Sequence, residues 1–276
     1  RGKYIRILSA AKAARMLDSV TTGDLSTDIE TTGLSPYDTC VPVWRDITDR
    51  PKWIALAKQE KAPKRTAYGR TFANFGTTMN ADIVAVGWAT EAGKGYCVVR
   101  NHTHKDPHAW TRKDRRIFDA AYRRMLRRRT VRKIIWNAVF ETAWFLKFYK
   151  TPPLNVVDGM AGLAMTDENS LKGLGPAGQA HTGMGYWSQE VDALSKAVDH
   201  NFACVPIKDI NKYLGCDVDS ALRISRKIEK TFNKHSSRFV NKWYPRVIEE
   251  LARMECAGAA ADKKAARRFA TYTRVK

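Results

Sequence analysis

The chain has 276 residues and a mass of 31.2 kDa, enough to bury one sizeable core without disulfides or metals. Its composition, 44% hydrophobic and 28% charged, is that of a globular protein and excludes wholesale disorder. Against 28 acidic residues stand 48 Lys and Arg, a formal charge of +20, and an excess that large favours a polyanionic partner because each cation that neutralises a phosphate releases counterions.

Nucleic acid leads among such partners, although a basic membrane-surface protein or a ribosome-associated factor would carry the same total. No apolar run approaches the ~20 residues needed to cross a bilayer, and the N-terminus lacks a signal-peptide pattern. A soluble, intracellular protein with no membrane partner is therefore expected. Cys40, Cys97, Cys204, Cys216 and Cys256 are widely spaced, with no C-x-x-C pair, so neither a zinc knuckle nor a disulfide framework is signalled.

In chain order, an apolar YIRIL piece precedes a helix-like AAKAARMLDSV, and DLSTDIETTGL reads as a strand ending in a glycine turn. Residues 37 to about 80 mix Pro, aromatics and Lys or Arg, and read as an insertion or long loop with a short helix from Pro51 to Glu60. ADIVAVGWAT and GYCVVRN, separated by EAGKG, read as a hairpin.

TRKDRRIFDAAYRRMLRRR sets Ile117, Phe118, Ala121, Tyr122 and Met125 at helical spacing, with arginines on the remaining face. VRKIIWN reads as a buried strand, AVFETAWFLKFYK as a helix and NVVDGM as a short strand, an alternation that points to parallel pairing. Residues 159 to 235 read as mainly helical, interrupted by GLGPAGQAHTGMG.

Three short patterns carry candidate chemistry. Asp28 and Glu30, two apart on a strand, leave the same face and can converge on one cation. Glu141 follows an apolar strand and falls on the first turn of a helix, where a carboxylate also suits the helix dipole. Tyr213 and Asp217 sit one turn apart on one helical face. His102, His104 and His108 lie in a polar loop without acidic or cysteine partners and read as an ordinary loop; no Walker A loop, nucleophile elbow or G-x-G-x-x-G is present.

In this order, D-x-E-T-T-G-L, N-x-x-F followed by a carboxylate, and Y-x-x-x-D resemble the three exonuclease motifs of the DEDD superfamily, with the tyrosine pointing to its DEDDy branch. Within it, residues 3 to 235 look like the proofreading domains of family A DNA polymerases and their phage relatives. The stretch VVDGMAGLAMTDENSLKGLGPAG and the tail VIEELARMECAGAAADKKAARRF strengthen that likeness, the tail resembling the start of a polymerase region.

The resemblance implies a ribonuclease H-like α/β fold: a mixed five-stranded sheet, an antiparallel meander followed by parallel strands, with helices on both sides. An exonuclease domain would span residues 1–235 and a helical extension 236–276. It implies hydrolysis of DNA from the 3′ end with two divalent ions, Mg²⁺ or Mn²⁺, the hard cations that clustered carboxylates prefer. Asp28 would bridge both ions, Glu30 and Asp217 would complete one site, and Glu141 would hold the second ion directly or through water.

Tyr213 would orient the attacking water, while Leu34 and Asn137 would contact the terminal nucleotide. A core leucine and a junction-shaping Asn are the competing readings. Single-stranded 3′ ends and a DNA polymerase domain or subunit are the implied partners, and Tyr37, Trp44, Trp53, Tyr68, Phe72 and Phe75 offer a second DNA surface. The family's second motif usually ends in Asp where this chain has Glu141. An RNA 3′-end trimming enzyme, or a degenerate domain that only binds nucleic acid or protein, remain the alternatives.

Overall fold

The computed structural model describes residues 2–103 and 106–258. Its centre is a six-stranded mixed sheet in the order β1-β7-β6-β2-β8-β9, formed by β1 (Lys3–Arg6), β2 (Gly23–Thr31), β6 (Ile83–Glu91), β7 (Lys94–Val99), β8 (Val131–Ile135) and β9 (Val156–Asp158). β2, β6 and β7 form the expected antiparallel meander, β8 pairs in parallel with β2, and β9 in parallel with β8. The sixth strand is the difference from the five expected. β1 pairs in parallel with β7, starting from a Lys3 N–H to Gly93 carbonyl bond of 2.7 Å, and no local pattern in four residues announces a partner so distant in sequence.

α1 (Ala10–Ser19), α3 (Arg112–Arg127) and α4 (Ala138–Tyr149) cover one face of this sheet. Phe118, Tyr122 and Met125 of α3 are fully buried there, whereas Ile117, at the edge of the apolar stripe, is 37% exposed. Thr111 and Asp114 close a reciprocal capping box that starts α3 where the sequence turns helical.

The long α8 (Ile207–Ile228) crosses the other face. It lies unusually close because glycines meet there: a Cβ on Gly95 would stand 2.6 Å from the Gly215 carbonyl oxygen, and one on Gly215 would stand 2.8 Å from Cβ of Tyr4.

The stretch read as an insertion or loop is instead a folded unit. β3 (Val41–Asp46), β4 (Lys64–Ala67) and β5 (Arg70–Met79) form an antiparallel sheet in the order β3-β5-β4, with α2 (Pro51–Gln59) as the expected short helix. Most of its aromatics build cores. Phe72 and Trp44 are 0% and 4% exposed, and Trp53 and Phe75 pack at 5.7 Å beside Ile47 and Ala57. Of the six aromatics expected to offer a DNA surface, only Tyr37 and Tyr68 are exposed, because a small sheet with few aliphatic residues uses its rings as its hydrophobic payload.

α5 (Gly159–Thr166), α6 (Leu174–Thr182) and α7 (Gln189–Ala197) connect β9 to α8. The GLGPAGQAHTGMG segment, expected to break the helices, is largely α6. Pro176 sits in its first turn, where no amide hydrogen bond is lost, and Gly178 lets the Trp187 ring approach to a distance no side chain would allow.

After α9 (Lys234–Arg238) and a π-helical turn, α10 (Tyr244–Ala257) packs along α4, with Ile248 and Ala252 buried. The remainder of the polymerase-like tail lies outside the described residues.

Candidate active site

The alternation of β2 sends Leu25, Thr27 and Ile29 towards the α3 face, so Asp28 and Glu30 point the other way, under α8. Asp217 reaches the same point from α8. Oxygens from Asp28, Glu30 and Asp217 all lie within 4.8 Å of one another, and among the described residues this is the one group of His, Cys, Asp and Glu side chains spaced to hold a metal ion.

Glu141, buried on the first turn of α4, lies against Asp28, and its Oε2 is buried without a hydrogen-bond partner. An orphaned carboxylate oxygen beside three converging ones is a hard, all-oxygen donor set, which fits Mg²⁺ or Mn²⁺ and not the nitrogen and sulfur preference of zinc.

Burial pushes the Asp28 carboxyl up to about 6. It raises Glu30, Glu141 and Asp217 well above the usual carboxylate range, and the neighbouring negative charges add to each effect. Four carboxylates this close cannot all ionise without a counter-cation. Burial likewise lifts Tyr213 above its ordinary value, so its hydroxyl stays protonated and acts as a hydrogen-bond donor or acceptor, not as a phenolate base.

Two residues that the motif reading missed complete the wall. Trp187 Nε1 donates to Asp217 Oδ1 at 2.7 Å. Asp192 on α7 accepts from Ser188 Oγ at 2.6 Å and stands 3.5 Å from the Tyr213 hydroxyl. Neither lies in a recognisable pattern, and their only sequence signal is a tryptophan beside a glycine-rich helix.

The strand-to-helix junction that carries Glu141 is held by Asp158. This fully buried N-cap of α5 accepts from Met160 and Ala161 of its own helix and from the amides of Asn137 and Ala138 at the start of α4. Asn137 adopts a left-handed backbone, φ 61° and ψ 51°, a conformation that Asn tolerates better than most residues. Its backbone thus shapes the junction, and its side chain makes no capping bond.

Two clefts meet over the carboxylates. One, of 310 Å³, runs past Glu30, Leu34, Phe140, Lys196 and His200. The other, of 300 Å³, runs past Trp136, Pro176, Tyr186 and Asp217. Asp28, Asp192 and Tyr213 line both, and Asn137 lines neither.

Leu34 is 66% exposed at the first cleft, which rules out its reading as a core leucine. Among the described residues of the histidine loop, neither His102, whose Nε2 is bound to the Val205 carbonyl at 2.6 Å, nor His108 lines either cleft, and His104 lies outside the described residues.

Fold and site together place the molecule in the class of ribonuclease H-like α/β domains with a carboxylate cluster at the end of the central strand. No protein-family model matches the sequence, and no curated protein matches it at a significant level. Solved structures do.

Brucella melitensis NrnC is similar at 15% identity over 89% of this chain and 91% of its own, with a TM-score of 0.57. Trypanosoma brucei RNase D, solved in complex with RNA U12, is similar at 14% identity over 94% of this chain and 72% of its own, with a TM-score of 0.55. Escherichia coli RNase D, an exoribonuclease involved in structured RNA processing, is similar at 13% identity and a TM-score of 0.52, this chain spanning 52% of it. At these identities the likeness establishes a shared fold.

Proposed function

We propose that this chain is a metal-dependent 3′→5′ exonuclease acting on single-stranded nucleic-acid ends. One observation carries the reading: residues from β2, α4 and α8, distant in sequence, bring four carboxyls and a tyrosine to one point where two open clefts meet. The fold is shared with nucleases, and an NrnC structure with bound Mg²⁺ is among those it resembles.

Asp28, Glu30 and Asp217 would hold one divalent ion, with Glu141 and Asp28 holding a second. When bound, these ions activate a water and stabilise the departing oxygen. The chain's own groups do the rest. Tyr213 offers a protonated hydroxyl that positions water beside Asp217. Trp187 fixes the Asp217 carboxyl by occupying one of its oxygens, leaving the other to face the cluster. Leu34 and Phe140 present apolar surface to the terminal nucleoside, and Asn137, which lines neither cleft, serves the site through the junction backbone it shapes.

Two of the similar structures named above are RNase D, one of them solved with bound RNA. That observation favours RNA 3′-end trimming as a second reading beside the DNA substrate expected from the polymerase-like sequence. The proofreading version assigns residues 1–235 to the exonuclease and 236–276 to the approach of a polymerase domain or subunit.

Incubating 5′-labelled DNA and RNA strands of matched sequence with Mg²⁺ or Mn²⁺, beside EDTA and Asp28→Ala controls, tests this. A ladder shortening from the 3′ end and absent from both controls is expected, and the faster strand identifies the sugar. Intact strands that nevertheless bind would replace the enzyme by a binding module.

A further inference from the structure

A third opening continues the first cleft away from the carboxylates. It measures 530 Å³ and shares Gly33 and Leu34 with that cleft, then runs past Tyr37 and Cys40 to Pro42 at the start of the small β3-β5-β4 sheet. Tyr37 keeps 43% of its surface exposed here, and the Lys147 ammonium sits over its ring at 4.1 Å from the centroid. Lys147 belongs to α4, the helix whose first turn carries Glu141.

The loop that presents Tyr37 is pinned. Ser35 Oγ accepts from the Tyr37 amide at 3.2 Å, and the Asp38 carbonyl accepts from the Ala81 amide at 2.7 Å. Of the two acidic side chains in the groove, Asp199 is already neutralised by Arg65 and by the Trp44 indole N–H.

Resting on the exonuclease reading, we propose that this groove is a track for the single strand upstream of the reacting end, with Tyr37 as a base-stacking platform and Lys147 and Lys196 as phosphate contacts. Three features that single strands require meet here: an exposed, fixed aromatic ring, the Lys147 cation over it with Lys196 in the adjoining first cleft, and open continuity with the carboxylate site. Stacking is tolerant of sequence because every base has a π-face, and the two lysines read only the backbone. A rigid duplex cannot splay its bases into the groove, so the track selects single strands.

Fluorescence anisotropy of 5′-labelled oligo(rU), oligo(dT) and a duplex, in EDTA so that nothing is hydrolysed, tests this on the whole chain. Tyr37→Ala should weaken single-strand binding about 5- to 150-fold, the loss that one stacked base corresponds to. Tyr37→Phe should restore it. Lys147→Gln should flatten the dependence of log affinity on log salt by about 0.7.

A loss confined to one sugar supports the track and names its substrate. Unchanged single-strand affinity in Tyr37→Ala, or an equal loss in Tyr37→Phe, overturns it. The two readings fail separately: Tyr37-dependent binding without any hydrolysis removes the enzyme and leaves the track, whereas hydrolysis with Tyr37-independent binding does the reverse.

Discussion

Replacing Asp28 by Asn should make the metal-free protein more stable while abolishing its response to divalent ions. Burial raises the Asp28 carboxyl from 3.8 to about 6, so the folded state binds this proton more tightly than the unfolded chain does. The stability the protonated group contributes is complete below pH 3.8 and is lost as pH rises through about 6. Above that, the folded protein carries a destabilising charge.

Asn keeps an acceptor for the Ile29 amide, which now donates to Asp28 Oδ1 at 2.9 Å, and removes the charge. The difference between 3.8 and about 6 sets an upper bound of about 3 kcal/mol. Relaxation and water entry reduce this to about 1–2 kcal/mol, a rise in Tm of roughly 2–8 °C at pH 7.5 for a domain of this size. Calorimetric melts of both proteins in EDTA and in Mn²⁺, at pH 5 and pH 7.5, read all of this. The stabilisation should shrink at pH 5, and Mn²⁺ should raise the Tm of the wild type far more than that of the variant. A metal-free variant that melts below the wild type at pH 7.5, or one that gains as much from Mn²⁺, would refute a cluster strained by its own charge.

Trp187→Phe removes the indole donor to Asp217 and keeps most of the ring volume, so Mn²⁺ affinity should fall about 10-fold with little change in melting; titration calorimetry measures it, and an unchanged affinity would show the bond to be incidental. Gly215→Ala places a methyl 2.8 Å from Cβ of Tyr4 and forces α8 away from the sheet; a loss of about 1–3 kcal/mol in denaturant unfolding is expected, with activity reduced in the surviving fold. Asp158→Ala strips the shared cap from α4 and α5, and should cost about 2–4 kcal/mol because four amides lose one acceptor. Glu141→Asp draws the carboxyl back from Asp28, and the direction of the change in rate with Mg²⁺ tells whether the extra methylene is an adaptation or a defect.

The order of strands and helices from β2 to α8 was largely legible, because the apolar runs of β6 and β7 about a glycine turn and the helical spacing in α3 are local signals. The carboxylate pair on β2 was legible for the same reason: a spacing of two on a strand puts two side chains on one face whatever the strand pairs with. Short elements were not. β1 needs β7 to exist, and the β3-β5-β4 sheet hides its core in scattered aromatics that resemble a sticky loop. α6 contains Pro and two glycines whose fit depends on neighbours such as Tyr186 and Trp187.

Residue identity and spacing thus decided which groups could act, since charge, chain geometry and motif order are properties of the chain alone. Only tertiary packing decided where they meet: that α8 lies close enough over Gly95 to bring Asp217 beside Asp28, that Trp187 and Asp192 join them, and that Tyr37 is the insertion's aromatic left exposed in the groove beside the cleft. Burial and contact between distant segments are set by the whole core at once, and no local pattern of residues encodes them.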